Sequence, residues 1–71
     1  MATYDPIIND GDRVALASHL DLWMAGVRFG RVESHSTCVI NGRIQHVFYV
    51  LTEDNRVHAI NSGDLLGAVR S

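Results

Sequence analysis

The hexapeptide VINGRI at residues 39–44 constrains this chain more tightly than any other segment. An Asn-Gly pair between apolar residues is the strongest short-range signal for a two-residue β-hairpin, because a type I′ turn requires positive φ at both central positions. The turn also predicts a register: Ile40 opposite Arg43, Val39 opposite Ile44 and Thr37 opposite His46. Residues 27–40 and 43–51 on either side are rich in Val, Phe, Thr, Ile and Tyr, as paired strands require. Gly30 alone interrupts the first of them. A glycine inside a strand marks a bend, a bulge or a close backbone approach, and here it is expected to bend the strand between two sheets.

The rest of the chain punctuates in the same style. Residues 1–10, with the only proline at Pro6, read as an extended arm, and residues 9–12 (NDGD) as a turn. Residues 13–18 then make a short strand with Val14 and Leu16 on one face. Residues 18–26 admit a helix capped by Ser18, but nine residues are too few to hold one without strong packing. A long, partly structured loop is expected there, folding Leu20, Leu22 and Trp23 down as a lid on the core. Residues 53–55 make the next turn and 56–60 a fourth strand. A helical turn from residue 61 would let Leu65 and Leu66 plug one end, and 67–70 close the sheet. The expectation is an all-β domain, a single five-stranded small barrel over residues 11–71 with one late helical turn.

Length sharpens the problem of stability. A 71-residue chain is one domain, and folding buries only about 60–65% of its extended surface. Cys38 is the only cysteine, so no disulfide can form within the chain, and self-association is the expected supplement. With 46% hydrophobic and 20% charged residues, the composition is that of a globular domain. No apolar run approaches the ~20 residues of a membrane span, and the N-terminus lacks the order of a signal peptide. A cytoplasmic location is therefore expected.

The net charge is −2, and all six basic residues are arginine. Arginine suits bidentate contact with carboxylate or phosphate, although GC-rich codon usage produces the same bias. Residues 1–21 sum to −3 and residues 22–60 to +1. That asymmetry falls short of the basic footprint of a nucleic-acid binder.

Several short segments in this order carry a resemblance: GDRV at 11–14, Trp23 in the loop that follows, GRV at 30–32, FYVL at 48–51, RVHAI at 56–60 and DLL at 64–66. The layout resembles the SH3-like barrels, including Tudor-like, KOW-like and small phage- or plasmid-borne modules. The same GDRV segment and loop tryptophan also look like the plasmid-borne type II dihydrofolate reductases. That family ends in a Val-Gln-Ile-Tyr strand whose side chains meet folate and nicotinamide cofactor around a tetramer pore. Here the matching positions are Val57, His58, Ala59 and Ile60, and no lysine is present. The resemblance thus implies a shared barrel and a tendency to assemble, without the reductase residues.

No catalytic or metal motif stands out. His19, His35, His46 and His58 lie in separate segments without HxH, HxxxH or CxxC spacing. Hairpin register sets Thr37 rather than His35 or Cys38 opposite His46, and Cys38 on the other face. Cys38 is expected to be a small hydrophobe, and no serine stands in a triad context. No cofactor is implied. The expected function is a non-enzymatic protein-binding module that also self-associates, with Trp23, Arg28, Arg31 and Tyr49 as the partner-binding residues. SH3-like domains line such a groove with aromatics; Phe29 and Tyr4 are further candidates. Of Trp23, Phe29 and Phe48, at least two are expected in the core. The alternative is a nucleic-acid-binding module using Arg28, Arg31, Arg43 and Arg56; a third reading is a pore enzyme of the reductase type. A small phage or mobile-element origin fits a chain of this size.

Overall fold

In the computed structural model, which describes residues 4–69, the Asn-Gly turn has the expected geometry, with φ of 52° at Asn41 and 76° at Gly42. It joins β3 (Phe29–Ile40) to β4 (Arg43–Thr52). Ile40 pairs with Arg43, Val39 with Ile44 and Thr37 with His46, as the turn predicts. Before them come β1 (Tyr4–Asp5), β2 (Arg13–Leu16) and a single helical turn, α1 (Asp21–Met24). After them come β5 (Val57–Asn61), a 3-10 turn at Ser62–Asp64 and β6 (Leu65–Val69). All six strands belong to one antiparallel sheet in the order β1-β6-β2-β3-β4-β5.

Two features depart from the five-stranded barrel expected from sequence. Tyr4 and Asp5 pair with Val69 and Ala68, so part of the arm is a sixth strand lying on the body. Residues 1–3 of the arm and residue 70 of the expected last strand lie outside the described residues. The sheet is also open: among the described residues no ladder joins its edges β1 and β5. The arm can reach β6 because of Gly67. Its φ is +141°, and a Cβ there would lie 2.6 Å from the Asp5 carbonyl oxygen. Pro6 then removes a donor and ends β1.

The core is aliphatic. Val14, Leu16, Val27, Val32, Val50, Ile60 and Leu65 form one buried cluster drawn from five strands and the loop before β3. Leu20, Leu22 and Trp23 pack against it from the segment expected to be a lid. That partly structured segment contains only the single helical turn α1, not a helix over residues 18–26. Packing of Leu20, Leu22 and Trp23 holds it where propensity alone is too weak, and Ser18 plays no part as a cap. Of the three aromatics expected to supply at least two core residues, Trp23 and Phe48 pack against this cluster while only partly buried, and Phe29 lies outside it. Leu65 and Leu66 belong to β6 rather than to a plug. Alternation along the strand buries Leu65 and leaves Leu66 half exposed.

Gly30 does not bend the strand. The irregularity lies three residues on, where Val32 pairs with Val50 and Ser34 with Tyr49, leaving Glu33 as the extra residue of a bulge. Gly30 instead permits close approach, because a Cβ there would overlap the Val50 side chain and lie 2.9 Å from the Leu51 carbonyl oxygen. Gly30→Ala should therefore destabilise the fold by about 1–3 kcal/mol through overpacking, read as a lower urea midpoint at unchanged slope.

Candidate functional site

Arg13 and Arg31 are direct cross-strand partners between β2 and β3. Alternation buries Val14 and Val32 beside them, so both guanidinium groups stand on the outer face of the sheet. Ala15 pairs with Phe29 two residues along, which brings Phe29 onto the same face. Arg13 lies over the Phe29 ring, 4.6 Å from its centroid. Arg28 lies over the Trp23 ring at 3.9 Å. Its backbone is fixed by the Leu16 N–H, which donates to the Arg28 carbonyl at 2.9 Å.

These side chains border a cleft of about 550 Å³ lined by Arg13, Arg28, Phe29, Arg31, Leu51 and Glu53, among others. Glu53 is committed locally, since its Oε1 accepts the Phe29 N–H at 3.2 Å. Three arginines against one carboxylate make the lining cationic in a chain of net charge −2. Among the described residues no ion pair involves Arg13, Arg28 or Arg31. Like charges facing each other across a strand pair repel. An anion placed between them converts that repulsion into two charge-assisted hydrogen bonds.

Of the residues expected to bind a partner, Arg28 and Arg31 meet in this cleft, and Trp23 lies beneath Arg28 as its support. Tyr49 stands outside the lining, on the same face of β4 as Leu51 and opposite Ser34 and Ala59. The nucleic-acid set does not converge: Arg43 is at the hairpin turn and Arg56 follows the β4–β5 turn, and neither lines the cleft. Arg13 was missed. No tight turn specifies the β2–β3 register, so nothing local in the sequence places Arg13 opposite Arg31.

Three of the four histidines have a role that their spacing did not reveal. His19 Nε2 donates to Asp64 Oδ1 at 2.9 Å, His35 Nδ1 to Asp10 Oδ1 at 2.7 Å and His58 Nε2 to Asp54 Oδ2 at 3.2 Å. The first two tie together segments 45 and 25 residues apart. Among the described residues no group of three His, Cys, Asp or Glu side chains is placed to hold a metal ion. No helix of the described residues is long and apolar enough to cross a membrane.

No protein-family model, curated protein or solved structure matches this chain.

The β4–β5 turn next to the cleft is organised by one carboxylate. Asp54 accepts from the Thr52 hydroxyl, the Arg56 N–H and His58. The Thr52 hydrogen bond, aided by those from His58 and Arg56, holds the Asp54 carboxyl below its ordinary value of 3.8 against a smaller opposing effect of desolvation. A carboxyl depressed by folding contributes stability that is complete above its unfolded value and lost as pH falls through its folded value. Carbon-detected NMR titration should place the Asp54 midpoint below 3.8. Thr52→Val should raise that midpoint and move the acid loosening of the turn to higher pH.

Proposed function

We propose that this chain is a non-enzymatic interaction module of the SH3-like kind, whose cleft at Arg13, Arg28 and Arg31 receives a carboxylate-bearing segment of a protein partner. The strand order β6-β2-β3-β4-β5, with a 3-10 turn between β5 and β6, supports the SH3-like reading. The observation that carries the binding reading is the facing pair Arg13 and Arg31, which has no carboxylate partner among the described residues. A planar guanidinium meets a carboxylate edge-on with two parallel hydrogen bonds. The ring of Phe29 braces Arg13 and that of Trp23 braces Arg28, which reduces the side-chain entropy lost on binding.

Two observations favour a carboxylate-bearing peptide over a nucleic acid. Binding of single strands relies on aromatic faces open to stacking bases, and here arginines cover a face of both Trp23 and Phe29. A net charge of −2 also opposes the approach of a long polyanion. At the positions matching the reductase strand, His58 is engaged by Asp54 and Ile60 is buried in the core.

Titration with an oligoglutamate peptide tests the proposal, with Trp23 fluorescence as the readout because Arg28 lies on its ring. Binding should weaken as salt rises. Replacing both Arg13 and Arg31 by alanine should lower affinity at least about tenfold, as expected on losing a charged hydrogen bond of about 1.5 kcal/mol or more. Equal affinity in the double variant, or tighter binding of single-stranded DNA, would overturn it.

A further inference from the structure

The β3–β4 hairpin outruns the sheet that carries it. The β2 ladder on β3 ends at Arg31, and the last backbone bond to the preceding turn is made at Val32. The β5 ladder on β4 begins only at Val47. Residues 34–40 and 43–46 therefore form a two-stranded arm whose outer edges carry no ladder among the described residues. The molecule is correspondingly elongated, 36 × 24 × 21 Å. Isolated two-stranded hairpins are marginal in water.

The arm is also apolar on the face that continues the core. Ile44, His46, Phe48 and Val50 share one face of β4, and Val39 and Thr37 oppose the first two. Val39 and Ile44 are each 70% exposed. At the base of the arm this surface runs into a groove of about 720 Å³ lined by Ile7, Ile8, His46, Phe48, Leu65 and Leu66, among others. Ile7 is 66% exposed and Leu66 51%. Edges of this kind are ordinarily protected by charge, proline or a covering element. Between residues 34 and 52 the only formally charged side chain is Arg43, and there is no proline.

We propose that a second copy of this chain docks here, with the two arms pairing edge to edge along residues 34–40 of β3 and each laying its Val39–Ile44 tip against the other's apolar groove. Charge identifies the occupant. Two chains of net charge −2 meet with least repulsion along this strip, which has no carboxylate of its own; Asp10 reaches its base but is engaged by His35 at 2.7 Å. An antiparallel edge is complementary to its own copy about a two-fold axis, the commonest symmetry of soluble oligomers. Area agrees. A standard interface takes ~800 Å² from each partner, about a sixth of this chain's 4968 Å². Residues 34–46 are thirteen of the 71, all exposed except the half-buried Cys38 and Gln45, so a projecting arm supplies that share.

The interface is independent of the arginine cleft, and its test reads assembly rather than ligand binding. Sedimentation of the full chain over a roughly hundredfold concentration range should show a monomer–dimer equilibrium. Ile44→Lys and Val39→Lys, both at exposed positions, should sediment as monomers with an unchanged circular dichroism spectrum. Met24→Lys, at a position 76% exposed on the far segment, should behave as the parent does. Replacing Arg13 and Arg31 should leave the dimer intact. Amide exchange along residues 34–40 should slow as dimer accumulates. A parent chain that stays monomeric throughout, or a dimer that survives Ile44→Lys, would overturn the proposal.

Discussion

The register of β3 on β4, together with the one residue at which it breaks, is the constraint that everything else obeys. Counting back from the Asn41–Gly42 turn, an unbroken ladder would continue past Ser34 and Tyr49 to set Glu33 opposite Val50. Val50 is fully buried, so that register would carry a carboxylate into an aliphatic cluster. Burial of an unpaired charge costs far more than a small domain can absorb. The bulge at Glu33 avoids this: Glu33 is exposed, Val32 takes the place opposite Val50, and Arg31 moves to the outer face beside Leu51. One inserted residue therefore determines both what fills the core and what borders the cleft.

The same strand separates two surfaces of opposite character. Arg31 and Val39 are eight residues apart on β3, which at about 3.3 Å per residue is roughly 26 Å. One end is cationic, supported by the sheet on both sides and braced by aromatic rings. The other is nearly uncharged, exposes Val39 and Ile44, and carries no ladder beyond its own hairpin among the described residues. Because the bulge lies between them, residues on the core face have even numbers before it and odd numbers after it. Gly30 and Val32 face inward below, and His35, Thr37 and Val39 do so above.

How far this was legible from sequence depended on the range of the signal. The β3–β4 pairing could be read residue by residue because Asn-Gly encodes a turn of fixed length. The aliphatic positions Val14 and Leu16 followed from alternation. Other features involve partners far apart in the chain. The Arg13–Arg31 pair depends on a connection that includes α1, and the tie between His19 and Asp64 spans 45 residues. A two-residue strand such as β1 has no periodicity to detect, and Gly67 revealed its purpose only once Asp5 was seen beside it. The bulge was invisible because Val and Glu both occur in strands, and only burial of Val50 decides between them.

The route of the chain also sets an order of events. β3, β4 and β5 are neighbours in sequence and pair in succession, so their loops close cheaply. The seam is different: Val14 meets Ala68 and Tyr4 meets Val69, contacts that close over most of the chain. Leu65 and Ala68 enter the interior only when that seam forms. β2, held between β3 and β6, is secured on its β6 side only when that seam closes. An anion held between Arg13 and Arg31 would fasten β2 to β3, and so hold in place the strand onto which β6 closes last.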